Sequence, residues 1–274
     1  MKAHRNTLRM AGMLLAAVSL LPGCGQKHVR SVQLVTYNVG AFGKEMEDSA
    51  PMIAAMLQEL GADVVALNEL DSCNRRHDRY QAAQLARLLD SAYAQEGLWQ
   101  YAYASAMPYA GGGYGDALVT RDRIADCFSI ALPRLDGSEP RVCIVAETAD
   151  YVFASTHLDH VSMDAQLQQA RLISETLKAR YGDGNKAVFL AGDLNALPDS
   201  PTLAALLEDW TLLSATDGTY PAAGAERRCI DYILKLNNNA KIRLVATAVP
   251  DEFENGDTAI ASDHLPVFVT VDLL

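Results

Sequence analysis

The chain has 274 residues, half of them apolar and 21% charged, with a net charge of −11. That length and balance fit one large globular domain, with no repeat, linker or low-complexity tract to suggest another class. The acidic excess argues against a protein that grips nucleic acid through a basic surface, since basic residues cluster only locally, as at Arg75-Arg76-His77 and Arg227-Arg228.

The first stretch reads as an address rather than as fold. Lys2, His4, Arg5 and Arg9 precede an apolar run from Met10 to Leu21, which at about a dozen residues is shorter than the roughly 20 a relaxed membrane span needs. Leu21-Pro22-Gly23-Cys24 follows. It resembles the lipobox of bacterial lipoproteins, whose cysteine is lipidated and becomes the mature N-terminus, although Pro22 departs from the usual small or hydroxyl residue. The other reading is an ordinary secretory signal with a chance cysteine. The lipobox implies a signal peptide over 1–23, a short tether over 24–30 and a folded domain over 31–274. It also implies a bacterial cell-envelope location, periplasmic or at the outer membrane, with the membrane reached through Cys24. Removing 1–23 leaves 20 of the 23 basic residues against all 34 acidic ones, a net of −14.

Cys73, Cys127, Cys143 and Cys229 are too widely spaced for a zinc cluster. In an exported protein they could pair, and Cys127 and Cys143 fall in neighbouring strand-like segments; buried free thiols fit equally well.

In chain order, Val32 to Tyr37 reads as a strand ending in Asn38-Val39-Gly40. Pro51 to Leu60 carries Ile53, Met56, Leu57 and Leu60 at helical spacing and stops at Gly61. Asp63 to Leu67 is a second apolar strand, with Asn68-Glu69 at its end, and Tyr80 to Leu89 is again helical. Trp99 to Tyr103 is aromatic and suits a strand, or an exposed hydrophobic hairpin. Gly111 to Gly115 reads as a loop before a strand over Asp116 to Thr120. Further strands are expected at about Arg123–Leu132, Arg141–Glu147 and Tyr151–Ser155, then a long amphipathic helix over Ser162 to Arg180. The strand Ala187 to Ala191, a short helix near Pro201, and strands at about 230–236, 242–248 and 267–271 complete the chain. Runs of strands mixed with helices predict two mixed β-sheets packed face to face with helices outside.

Several strand ends carry polar groups. Gly192-Asp193-Leu194-Asn195 ends the most apolar strand, and residues two apart on a strand share a face, so Asp193 and Asn195 can aim at one point. There an acid can deprotonate an attacking group and an amide can donate to a phosphoryl oxygen. Glu69 is suited to a hard cation such as Mg²⁺ or Mn²⁺. Asn38 could hold that acid or a metal-bound water. His157 and His264 also lie beside strands. Asp231 interrupts an apolar strand and needs a polar neighbour if buried, which makes it a candidate partner for His264. Each of these alone is as readily a turn residue or a solvated strand end.

Taken in order, Thr36-Tyr37-Asn38-Val39, Asn68-Glu69-Leu70-Asp71, Gly115-Asp116-Ala117-Leu118, Thr156-His157-Leu158-Asp159, Gly192-Asp193-Leu194-Asn195, Ile230-Asp231-Tyr232-Ile233 and Ser262-Asp263-His264-Leu265-Pro266 resemble the motifs of the endonuclease/exonuclease/phosphatase superfamily. The resemblance implies a deoxyribonuclease I-like α/β fold, a four-layer sandwich of two mixed sheets between helices. It implies metal-dependent phosphoester hydrolysis, usually with Mg²⁺. Glu69 would bind the metal with Asn38 beside it and Asp263 on the metal side. Asp193 would orient or deprotonate water, Asn195 would bind the scissile phosphate, His157 would face that phosphate, and His264 would pair with Asp231. The division of base and phosphate-stabilising roles among His264, Asp193 and His157 stays open.

Two positions depart from the family pattern: Asp116 replaces the usual asparagine, and Asn68 stands where many relatives have glutamine. A narrower likeness to a bacterial branch of metal-dependent hydrolases, running through Arg76, Gln81, Gly113-Tyr114-Gly115 and Glu139-Pro140-Arg141, suggests Arg76 and Arg141 as contacts for substrate phosphate. Surface ion pairing is the other reading of both. The expected function is a monomeric phosphodiesterase, phosphatase or nuclease acting on nucleic acid, a phospholipid head group or a small phosphoester. A catalytically silent surface lipoprotein that uses the fold for binding is the alternative.

Overall fold

A computed structural model describes residues 29–92 and 97–274. The expected signal peptide and Cys24 lie outside these residues. The described elements begin with β1 (Arg30–Asn38), α1 (Ala50–Glu59), β2 (Val64–Ser72), α2 (Gln81–Ala92), β3 (Gln100–Tyr109) and β4 (Gly112–Thr120). They continue with β5 (Asp126–Ala131), β6 (Val142–Glu147), β7 (Tyr151–Thr156), α3 (Met163–Tyr181), β8 (Ala187–Asp193) and α4 (Pro201–Leu206). They end with β9 (Trp210–Leu212), β10 (Asp231–Leu236), β11 (Ile242–Ala248), α5 (Thr258–Ala261) and β12 (Val267–Leu273).

The strands form two six-stranded sheets, in the orders β11-β12-β1-β2-β4-β3 and β5-β6-β7-β8-β10-β9. Each is mixed: β1 and β2 run parallel in the first, β7 and β8 in the second, and the remaining neighbours are antiparallel. The central strands are covered on both faces, which is why they read as continuous apolar runs. In β1, Val32 and Leu34 point into the layer between the sheets, while Val35 and Tyr37 meet Ile53 and Leu57 of α1 and Leu85 of α2. In β8, Phe189 and Ala191 face the inter-sheet layer, and Val188 and Leu190 pack with Ile173 and Leu177 of α3 and Leu203 of α4. The result is the expected four layers of helix, sheet, sheet and helix. Ser162 caps α3 by accepting the Ala165 N–H at 3.2 Å, and Ser200 caps α4 by accepting the Leu203 N–H at 3.2 Å.

The structure corrects several boundaries. Gly112 to Gly115 is the first half of β4, not a loop, and Gly115 lies so close to the Ala104 carbonyl of β3 that a Cβ would collide with it. Those glycines serve close strand approach rather than a turn. β2 runs on to Ser72, so Glu69 sits within a strand and not at its end. Arg30, expected in the tether, already pairs with Leu273 in the first sheet. The three-residue β9 and four-residue α5 have no counterpart in the sequence pattern. Cys127 lies opposite Ala146 and Cys143 opposite Ile130, and Cys73, Cys127, Cys143 and Cys229 are all free thiols.

Candidate active site

The carboxyl ends of the two central parallel pairs meet at one end of the sandwich, and a cleft of about 480 Å³ opens there. Asn38 ends β1, and His157 follows β7. Asp193 ends β8 and lies directly opposite Asp231, the first residue of β10. His264 comes from the segment between α5 and β12. Glu69 reaches the cleft because the β2–β4 register slips between Leu67 and Leu70, and Glu69 at this bulge has φ 62°. Such a bulge re-aims a side chain that regular alternation would send elsewhere.

The cleft floor is one hydrogen-bonded chain. Asp231 Oδ2 lies 2.9 Å from His264 Nδ1, which leaves His264 Nε2 facing Asp193 Oδ2 at 3.5 Å. The Asn38 amide donates to Glu69 Oε1 and to Asp193 Oδ2, each at 3.1 Å, while its own oxygen accepts the Gly40 N–H. Asn38 therefore orients two carboxylates, one of them Glu69, while its oxygen is turned to the Gly40 N–H. Asp193 Oδ1 accepts the Asn195 N–H at 2.9 Å. Asn195 leaves the strand in a left-handed conformation, φ 48°, so the turn and not strand alternation brings its side chain to the cleft. Its amide nitrogen lies 2.9 Å from His157 Nε2 and donates to the Leu158 carbonyl at 3.1 Å.

Burial and neighbouring charge set the protonation of this floor. Burial, reinforced by the Asp231 charge, pushes the Asp193 carboxyl well above the ordinary carboxylate range against the opposing pull of His264. Burial works against the His264 imidazolium, but Asp231 and Asp193 outweigh it and raise the ring to about 9. His157 goes the other way: burial first, then Arg141 and His264, hold it well below 6.5, so it is neutral. Its 3.4 Å approach to Asp193 is accordingly not an ion pair. A neutral ring that accepts the Asn195 amide at Nε2 carries its proton on Nδ1, which is buried without a partner.

The two departures from the family pattern are connected. The Asn68 amide donates to Asp116 Oδ1 at 2.9 Å, and its oxygen accepts the Asp193 N–H at 3.0 Å. Asn68 thus ties the two sheets together directly behind Asp193. Asp116 is fully buried and outside the cleft lining, and burial raises it to about 7. The extra acid is turned away from the place where phosphate would sit.

Arg141 and Arg76 part company. Arg141 is buried and lines the cleft, with one terminal nitrogen 3.0 Å from His160 Nδ1 and 3.3 Å from Glu139, and its Nε has no partner. Arg76 lies outside the cleft lining. Its fork grips buried Asp71 with two 2.8 Å bonds, and it borders a separate depression with Arg75, His77 and Arg79. That placement corrects its expected role as a phosphate contact. Sequence reasoning missed Lys44, His160 and Tyr220, which also line the cleft, and saw Arg228 only as part of a basic pair. The Tyr220 ring packs at a tilt against His264, centroids 4.8 Å apart, with the Arg228 guanidinium 5.3 Å from the tyrosine centroid. Nothing in the local sequence marks Lys44; long-range folding alone brings it in.

Glu69 and Asp263 are partly open carboxylates that flank one point of the cleft. The Lys44 ammonium lies 3.4 Å from Glu69 Oε2 and 3.0 Å from Asp263 Oδ2, a cation already seated between hard oxygens. Asp193, Asp231 and His264 also place one ligand atom each within 4.8 Å of one another. The Asp231–His264 bond occupies one oxygen of that trio, while Asp231 Oδ1 is buried without a partner; Glu69 and Asp263, partly exposed at the cleft, are the more accessible oxygen donors for a divalent cation.

Anion-directed donors beside a carboxylate that can accept a proton, all at the strand ends of a four-layer sandwich, define a hydrolase of phosphoester bonds. The model of the endonuclease/exonuclease/phosphatase family matches residues 35–264, and the chain belongs to that family. Its fold is similar to that of an endonuclease/exonuclease/phosphatase family protein from Bacteroides thetaiotaomicron, 20% identical, with 90% of this chain and 96% of that chain covered and a TM-score of 0.66. A mannosyl-6-phosphatase of Bacteroides thetaiotaomicron is 19% identical over 88% of this chain and 99% of its own, with a TM-score of 0.65. ANGEL2, a 2',3'-cyclic phosphatase, in complex with adenosine-2',3'-vanadate, is 13% identical over 92% and 99%, with a TM-score of 0.68. No curated protein sequence matches the chain.

Proposed function

We propose that the protein is a divalent-metal-dependent phosphodiesterase or phosphatase that uses water as its nucleophile. The observation that carries this reading is the buried Asp231–His264–Asp193 chain, with its 2.9 Å and 3.5 Å contacts, at the bottom of an open polar cleft. Asp231 fixes the His264 ring through Nδ1, so Nε2 is the nitrogen presented to a bound phosphate. Asp193 Oδ2 faces the same space and takes a proton from the attacking water. As water adds to phosphorus the ester P–O bond breaks, the attacking proton passes to Asp193, and the leaving oxygen is protonated from solvent or by His264. The buried Arg141 guanidinium donates to phosphoryl oxygens as negative charge gathers on them, and Asn195 joins it by turning one amide hydrogen away from His157 or the Leu158 carbonyl, which otherwise hold both. Glu69 and Asp263 would hold the metal, which when bound polarises a phosphoryl oxygen. Mg²⁺ and Mn²⁺ both suit all-oxygen donors.

The structural neighbours that act on a sugar phosphate and on a cyclic phosphate support small phosphoesters as the substrates to try first. The lipobox-like Leu21-Pro22-Gly23-Cys24 supports a domain tethered by lipid at the cell envelope. The test is hydrolysis of bis-p-nitrophenyl phosphate and p-nitrophenyl phosphate in Mg²⁺ or Mn²⁺, with and without chelator. Chelator-sensitive release from either ester is expected. Release that ignores chelator would remove the metal from the proposal, and turnover of neither ester would favour the silent binding protein.

A further inference from the structure

We propose that Lys44 is a built-in counter-ion of the metal carboxylates, which an arriving divalent cation must displace, so that Lys44 sets how tightly this site holds metal. The inference rests on reading Glu69 and Asp263 as the metal-binding carboxylates. Both pair with the same ammonium, at 3.4 Å and 3.0 Å. The carboxylates are only 16% and 22% exposed, and the lysine side chain 39%. An ammonium and a small hard cation cannot share these oxygens, because both need them at close range and both are positive.

The chain is built to deliver this lysine. Gly40, Ala41 and Phe42 have successive φ of 52°, 55° and 53°, a run of left-handed residues costly for the two that carry a Cβ. Local bonds impose the turn: Asn38 Oδ1 accepts the Gly40 N–H at 3.1 Å, the Gln81 amide donates to the Ala41 carbonyl at 2.6 Å, and Phe42 is buried. The turn doubles the chain back so that the Lys44 stem lies across Gly40, where any Cβ would collide with its Cγ. Asn38, which starts the turn, is the same residue that orients Glu69. Lys44 thus compensates crowded carboxylates while metal is absent. Its exposed path to water lets the ammonium swing aside when metal binds.

The test is calorimetric Mn²⁺ binding and the metal-free melting temperature of the full chain, compared among wild type, Lys44→Gln, Lys44→Arg and Glu69→Gln. Lys44→Gln should bind Mn²⁺ about three- to ten-fold more tightly, the scale of partly exposed ion pairs, while melting lower in chelator. Lys44→Arg keeps the charge and should stay within about two-fold of wild type, which separates competition from a packing defect. Lys44→Gln binding no tighter than wild type, with Glu69→Gln still losing affinity, would overturn the counter-ion proposal. Undiminished binding by Glu69→Gln would instead overturn the metal reading beneath it.

Discussion

Asp116→Asn should make the protein more stable, and by an amount that grows with pH. Asp116 titrates at 3.8 in an unfolded chain and at about 7 in the fold, because burial penalises its charged form. Between those values the unfolded chain releases a proton that the folded chain keeps, so stability falls as pH rises until the folded group also ionises. The full penalty above pH 7 is about 4 kcal/mol, of which less than half is already present at pH 5. Asparagine has no such titration. It can still accept from Asn68, which donates to Oδ1 at 2.9 Å, but a second donor, the His157 backbone N–H, also points at Asp116. Losing that bond costs about 1 kcal/mol at every pH. The diagnostic quantity is therefore the change in the gap between variant and wild type: about 2–3 kcal/mol from pH 5 to pH 8, or roughly 4–12 °C in melting temperature for a domain of this size. Paired thermal melts at both pH values in chelator measure it. A gap that does not change with pH would refute the assignment of a buried, proton-holding Asp116.

Asp231→Asn should lower His264 from about 9 toward or below its ordinary 6.5, since burial then opposes a weaker field; histidine NMR titration of the metal-free protein reads this, and an unmoved resonance would contradict the pairing. The same variant should lose about 10²–10⁴ in turnover, the range for positioned acid–base groups. The wild-type His264 ring contributes stability that is complete below pH 6.5 and is lost as pH rises through about 9, so part of any alkaline fall in melting temperature should vanish in Asp231→Asn. Arg141→Ala should raise KM about ten-fold or more, as expected for a lost charged hydrogen bond to an anion. Arg76→Ala should leave KM unchanged but lower the melting temperature, because buried Asp71 loses its two-bonded partner; an Arg76→Ala defect in KM with normal stability would reverse the correction made from the structure.

Much of this architecture is legible in the sequence because the central strands are buried on both faces. Val32 to Tyr37, Asp63 to Leu67 and Ala187 to Ala191 all announce themselves as apolar runs that end in polar groups. The helices α1 and α3 follow from their spacing to within a residue, and α2 runs three residues beyond the expected Leu89. Local pattern failed where backbone geometry departs from the regular period. The bulge at Glu69 and the left-handed turn at Asn195 place those side chains correctly for reasons that strand alternation does not contain. The glycines of β4 look like a loop because propensity does not know that another strand passes alongside. Arg76 and Arg141 look alike in the sequence; only burial partners distinguish an arginine clasped by Asp71 from one whose Nε is left open in the cleft wall. Lys44 was invisible because its function depends on two carboxylates 25 and 219 residues further along the chain.

The central claim is that the Asp231–His264–Asp193 chain performs metal-dependent phosphoester hydrolysis. The most direct test compares wild type and His264→Ala on bis-p-nitrophenyl phosphate and p-nitrophenyl phosphate in Mn²⁺, with melting curves of both proteins recorded in the same buffer. The account predicts chelator-sensitive turnover by wild type and a loss of at least about 100-fold in a variant that still melts cooperatively. Wild-type turnover by folded His264→Ala would contradict it.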